Sequence, residues 1–144
     1  MDTAKALAAG ALFDFEGVTY TVPPVVFAIQ AEFEKYFVAQ AYANLRRDQR
    51  ILGAEYESER TSLRRDIDAG LYNFESDLVK DALRNTRHLK HMLYLCLAYG
   101  NKDRKIEKDL IERIDKAGRS NDLMEAVNQA NSDPNPTPSP NDTK

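Results

Sequence analysis

One stretch constrains this chain more than any other: Thr86 to Tyr99, T-R-H-L-K-H-M-L-Y-L-C-L-A-Y. From Met92 to Tyr99 every residue is apolar, and no other segment is as dense. Gly100-Asn101 comes next as a stop signal, and Thr86 stands where a cap is wanted. The stretch reads as a helix of about four turns, roughly 21 Å at 1.5 Å per residue. In its first half Leu89, Met92, Leu93 and Cys96 recur at helical spacing, while Arg87, His88, Lys90 and His91 face away. The second half is apolar all round, which predicts that other elements surround it. The run falls short of the roughly 20 apolar residues that a bilayer demands. It predicts the central helix of a soluble domain.

The rest of the composition agrees with a helical fold. Only 6 glycines are present, and four of the 6 prolines fall after Asn131, so the body of the chain is poor in breakers. The net charge of −3 argues against a general nucleic-acid binder. The charge is uneven, however. Arg84 to Arg119 carries ten Lys/Arg against five Asp/Glu, so the remainder is acidic. A single cysteine, Cys96, rules out an internal disulfide and gives no sign of an oxidising compartment. The N-terminal M-D-T-A-K-A-L-A-A-G lacks the longer apolar core of a secretory signal, so the expected location is the cytoplasm.

Taken in order, residues 1–10 predict a flexible arm. Leu12 to Phe15 and Val18 to Val22 then alternate with period two around Glu16-Gly17, the pattern of a hairpin over 11–22. A lone hairpin is barely stable in water and must pack on helices. Pro23-Pro24 ends the strand, with Thr21 a candidate cap for the next helix. Val26, Ile29, Phe33, Phe37, Ala41 and Leu45 predict that this helix is long and can run on towards Leu52. A second helix, about 54–69, has only the stripe Tyr56, Leu63 and Ile67 and belongs on the surface; Gly70 stops it. After the apolar connector Leu71 to Phe74, Ser76 opens a short helix. Beyond Gly100 a basic amphipathic helix is expected from about Asp103 to Ala117, and Ser120 is read as the cap of a last helix. From 131 to 144 the chain is proline-rich without a hydrophobic residue, a segment that cannot bury anything. The expected fold is mainly α: a five- or six-helix bundle over 11–130, with the N-terminal β-hairpin packed on it.

No motif carries chemistry. His88 and His91 lie three apart on one helix, but apart from Cys96 no other His or Cys exists to complete a metal set, so a solvated basic face is the better reading. Cys96 sits in the apolar run and reads as a small buried hydrophobe. The carboxylates lie in charge-rich helical stretches beside Arg or Lys, and there is no phosphate loop, nucleophile elbow or H-E-x-x-H. The expectation is a protein that is not an enzyme and uses no cofactor. The segment 101–119 is the best nucleic-acid candidate, but acids interleave throughout it, and Asp109 can pair with Arg113.

The layout resembles a family from bacteriophage tail-gene clusters, the tail assembly chaperones. The residues that carry the likeness are the hairpin F-D-F-E-G-V-T-Y-T-V, then P-P and V-V-F-A-I-Q-A-E-F-E-K-Y-F, a charged helix ending R-R-D-I-D-A-G-L-Y, the apolar H-L-K-H-M-L-Y-L-C-L, and A-N-S-D-P-N-P near the end. They span about 11 to 136. The resemblance implies a non-enzymatic protein that coats and solubilises the helical tape-measure protein in the host cytoplasm, in many copies, and is shed on assembly. It has no fixed motif and so transfers no site residue. Two other classes fit the residues: a structural virion protein, such as a head or tail completion protein or connector, and a small nucleic-acid-binding adaptor. A chaperone for helices needs exposed apolar helix edges. Leu110 and Ile114, then Leu123, Met124 and Val127, are the candidate edge for a partner helix or a second copy of the chain.

Overall fold

The structure is a computed structural model and describes residues 10–132. The expected flexible arm and the proline-rich tail therefore lie outside the described residues, apart from Gly10 at one end and Asn131-Ser132 at the other. The chain is mainly α with one antiparallel hairpin. The hairpin strands are β1 (Ala11–Phe15) and β2 (Val18–Val22). The principal helices are α1 (Phe27–Arg47), α2 (Tyr56–Asp68), α3 (Asp77–Ala82), α4 (Thr86–Gly100), α5 (Leu110–Lys116) and α6 (Ser120–Asn131). A helical turn at Gln49–Leu52 and a 3₁₀ turn at Gly53–Glu55 join α1 to α2. The contacts divide the chain into two compact units, residues 30–91 and the remainder, and the division falls inside α1 and α4.

The first unit holds the hairpin, the end of α4, α5 and α6. The hairpin turns through Glu16 (φ 51°) and Gly17 (φ 78°). Both central residues are left-handed, as the tight two-residue turn between twisted strands requires. Phe13 faces Tyr20 and Phe15 faces Val18 across the ladder. Alternation puts Ala11, Phe13 and Phe15 inside with Tyr20 and Val22, while Leu12 and Asp14 look out. The hairpin meets α6, whose buried Leu123, Ala126, Val127 and Ala130 recur at steps of three and four. Met92, Leu93, Cys96 and Leu97 of α4 and Leu110, Ile111 and Ile114 of α5 complete the core.

One side chain fixes where α4 stops. Asn101 is buried, and its amide nitrogen donates to the Leu97 carbonyl at 2.8 Å and to the Thr21 carbonyl at 2.9 Å. Its Oδ1 accepts from the Thr21 N–H at 2.9 Å. The side chain thus takes one of the last helical carbonyls and pairs with β2 as a further strand residue would. Gly100 permits this approach, because a Cβ there would stand 2.5 Å from the Thr21 oxygen.

The second unit, residues 30–91, has an aromatic core. Phe33 is fully buried, with Phe74 edge-on at 5.8 Å and Phe37 stacked at 6.0 Å between ring centres. Phe37 meets Tyr72 at 5.5 Å. The connector is also held by backbone, since the Phe74 N–H donates to the Glu34 carboxylate at 2.6 Å. Helix α2 buries no residue completely and rests on the half-buried Tyr56, Leu63 and Ile67, the narrow stripe of a surface helix. It ends as Gly70 predicts. Gly70 (φ 86°) donates to Ile67, and Leu71 donates back to Asp66 at 3.1 Å.

Several sequence expectations need correction. The cap of α4 is Asn85, whose Oδ1 accepts from the Arg87 N–H at 2.9 Å; Thr86 is already helical. Ser120 is likewise the first residue of α6, and its hydroxyl bonds Asp115 instead of the helix start. Thr21 stays in β2 and caps nothing. The basic helix expected from Asp103 begins only at Leu110. Asn101 and the buried Ile106 anchor residues 101–109 individually, and those tertiary anchors override the helical spacing. The end of α4 is not enclosed on all sides, because Tyr94, Leu95 and Ala98 are half-buried and Tyr99 is exposed.

Candidate functional site

The five residues expected to form a docking edge are not one. Leu110, Ile114, Leu123 and Val127 are each at most 4% exposed, and Met124 is half-buried. In sequence a narrow apolar stripe on a short helix looks the same whether its partner is foreign or belongs to the same chain. The stripe of α6 is covered by the chain's own hairpin. An edge already covered cannot receive another helix without opening the unit. Leu110, Ile114, Leu123 and Val127 belong instead to the buried core of the first unit.

One concave apolar surface lies in the second unit. A groove of about 480 Å³ runs between α1 and the end of α2. Ala31, Val38 and Ala39 from α1 form one wall, with Ile67 and Tyr72 opposite and Asn73, Glu34 and Lys35 at the rim. Helical geometry explains the wall: 31, 35, 38 and 39 lie on one face of α1, while Phe33 and Phe37 turn to the other and fill the core. Small residues at 31 and 39 keep the surface hollow where larger ones would close it. Leu71, beside the groove in sequence, is 49% exposed. Nothing in the sequence singled out this face, because Ala31, Val38 and Ala39 look like ordinary helix filler.

The two histidines are not on a solvated face. The His88 Nδ1 is 2.9 Å from the Tyr36 hydroxyl, and its ring meets Phe37 edge-on at 5.5 Å. His91 stacks on the Tyr36 ring at 3.8 Å between centres. Burial pulls the His88 pKa below the ordinary value, and the Arg87 guanidinium adds to the effect. Burial pushes the Tyr36 phenol up, with Arg87 opposing. Both groups are therefore neutral near pH 7, and the imidazole tautomer sets which of the two carries the shared proton. Among the described residues, no group of three or more His, Cys, Asp or Glu is placed to hold a metal ion. The Cys96 thiol is buried and pushed up to about 12, so it is not a nucleophile in the folded chain.

The basic segment is sorted by one arginine. Arg113 bonds Glu16 through one guanidinium nitrogen and Glu107 at 2.9 Å through the other, and its Nε lies at ion-pair distance, 3.5 Å, from Asp109. The interleaved acids at 107 and 109 are thus drawn to Arg113. Lys102 and Arg104 lie over the rings of Tyr99 and Tyr20, at 4.4 and 5.8 Å.

No family model matches the chain, and neither the curated proteins nor the solved structures contain a match to it. Among the described residues no helix is long and apolar enough to cross a membrane.

Proposed function

We propose that this chain is a non-enzymatic chaperone of bacteriophage tail assembly, acting in many copies in the host cytoplasm to keep the helical tape-measure protein soluble. The observation that supports the reading is the open apolar groove between α1 and α2, with Ala31, Val38 and Ala39 facing Ile67 and Tyr72. A groove walled by two helices accepts an amphipathic helix through apolar residues at steps of three and four. Such a ridge would meet the apolar Ala31, Val38, Ala39, Ile67 and Tyr72 of the lining, with Lys35 and Asn73 as its polar members. The order of elements, hairpin then long helix then surface helix then apolar helix, is the layout on which the family resemblance rests.

The test is co-expression of the full chain with a helical segment of the tape-measure protein encoded beside it. The segment should stay soluble and co-elute with several copies of this chain. Ala39→Glu, at an exposed helical position, should release the segment while the circular dichroism spectrum is unchanged. A segment that precipitates while this chain elutes free would end the proposal. The chain's presence in purified mature particles would then favour a structural virion protein.

A further inference from the structure

The ring stack in the second unit has a property that the groove does not use. Tyr36 of α1 is held on two sides by α4: its hydroxyl meets the His88 Nδ1 at 2.9 Å, and its ring lies on His91 at 3.8 Å with 19° between the planes. His88 in turn sets its ring edge-on to Phe37, one residue along α1. Phe37 continues to Phe33 and Tyr72, so the stack is continuous with the aromatic core of the unit. Helical spacing makes this possible, because 88 and 91 share one face of α4 and straddle one tyrosine.

We propose that the Tyr36–His88–His91 stack is an acid-released clasp that ties the start of α4 to α1 within the second unit. The groups around His88 decide how it responds to a proton. From its own helix the charge that acts on it is the Arg87 guanidinium, which also acts on Tyr36. From α1 come the neutral Tyr36 phenol and the uncharged Phe37 ring. The connector contributes Tyr72 against Phe37, and Asp66 of α2 acts on Tyr72. Glu34 is engaged by the Phe74 N–H. Burial and the Arg87 guanidinium are the influences that set the His88 pKa, burial the larger. A proton added to His88 therefore finds the Arg87 cation beside it and the Tyr36 and Phe37 rings against it. In the imidazolium both ring nitrogens are donors, so Nδ1 can no longer accept the Tyr36 O–H.

Linkage gives the sign. A histidine whose pKa is lower folded than unfolded binds more protons when unfolded, so stability rises with pH. Above about pH 6.5, the unperturbed histidine value, both states are neutral and the clasp is intact. Stability falls as pH drops through that value and levels off below the folded pKa. Ordinary carboxylates titrate near pH 4, below this window.

The experiment uses the full chain. The histidine ring Cε1–H resonances are tracked by NMR from pH 8 to 5.5, and the urea midpoint is measured across the same range for the wild type and His88→Gln. We expect the His88 resonance to titrate below pH 6.5 and the urea midpoint of the wild type to fall across the window. His88→Gln should lose that slope. A His88 midpoint at or above 6.5 would overturn the clasp, and so would a slope that persists in His88→Gln. The NMR titration decides the matter in the wild-type chain even if the variant fails to fold. Neither readout depends on a bound partner, so the clasp and the chaperone reading fail separately.

Discussion

Replacing Asn101 with alanine is the sharpest perturbation of the first unit. The side chain makes three hydrogen bonds, two to Thr21 and one to Leu97, from a position only 5% exposed. At about 1 kcal/mol net for each, the loss comes to about 3 kcal/mol. For a chain of this size that corresponds to a fall in Tm of roughly 12 °C. The assay is urea unfolding monitored by far-ultraviolet circular dichroism and by tyrosine fluorescence, which is unobscured because the chain has no tryptophan. The midpoint should drop with little change in slope, because the surface exposed on unfolding stays the same. Asn101→Asp is the informative companion. It keeps an acceptor for the Thr21 N–H but turns an oxygen towards the Thr21 and Leu97 carbonyls, so it should cost at least as much as alanine. A loss below about 0.5 kcal/mol in Asn101→Ala would refute the reasoning. It would mean that water or a shifted backbone satisfies these groups without the side chain.

Charge substitution at Ile114 or Val127, 0% and 4% exposed, should unfold the first unit, seen as lost helical dichroism. An uncompensated buried charge costs several kcal/mol, and a folded variant would restore the docking-edge reading. Gly100→Ala drives a methyl group to 2.5 Å from the Thr21 oxygen and 2.6 Å from Pro23 Cδ. A loss of about 1–3 kcal/mol is expected from such overpacking, read as a lower urea midpoint. Cys96 should resist a thiol reagent at pH 8 in the native chain, because its thiol is pushed up to about 12, and react at the ordinary rate in urea. Gly118 closes α5 at φ 73°, with Arg119 bonding back to Ile114 at 3.0 Å, so Gly118→Ala should cost about 1 kcal/mol in the same unfolding assay.

Local patterns carried their information well. The hairpin bounds come from alternation around Glu16-Gly17, because a two-residue left-handed turn leaves one register and one buried face. Gly70 and Gly118 end their helices as glycine does wherever a helix must turn left-handed. Ser76 caps α3, with the Val79 N–H donating to its hydroxyl at 3.3 Å. The candidate site was another matter. A stripe such as Leu110, Ile114, Leu123 and Val127 announces that something will cover it, and periodicity is silent on what that is. The groove, for its part, is made of small residues whose meaning is only the space they leave.

Most helix and strand segments, and the residues within each that prefer to leave water, were legible in the order of amino acids. Those properties depend on neighbours a few positions away, through spacing, turn chemistry and capping. Packing in three dimensions was needed to establish that the hairpin covers α6, that Asn101 ends α4 against Thr21, and that two histidines enclose Tyr36. Each joins residues far apart in the chain, 80 positions for Asn101 and Thr21 and 52 for Tyr36 and His88. Such pairings are chosen by shape and by the need to satisfy buried polar groups, and a one-dimensional pattern records neither.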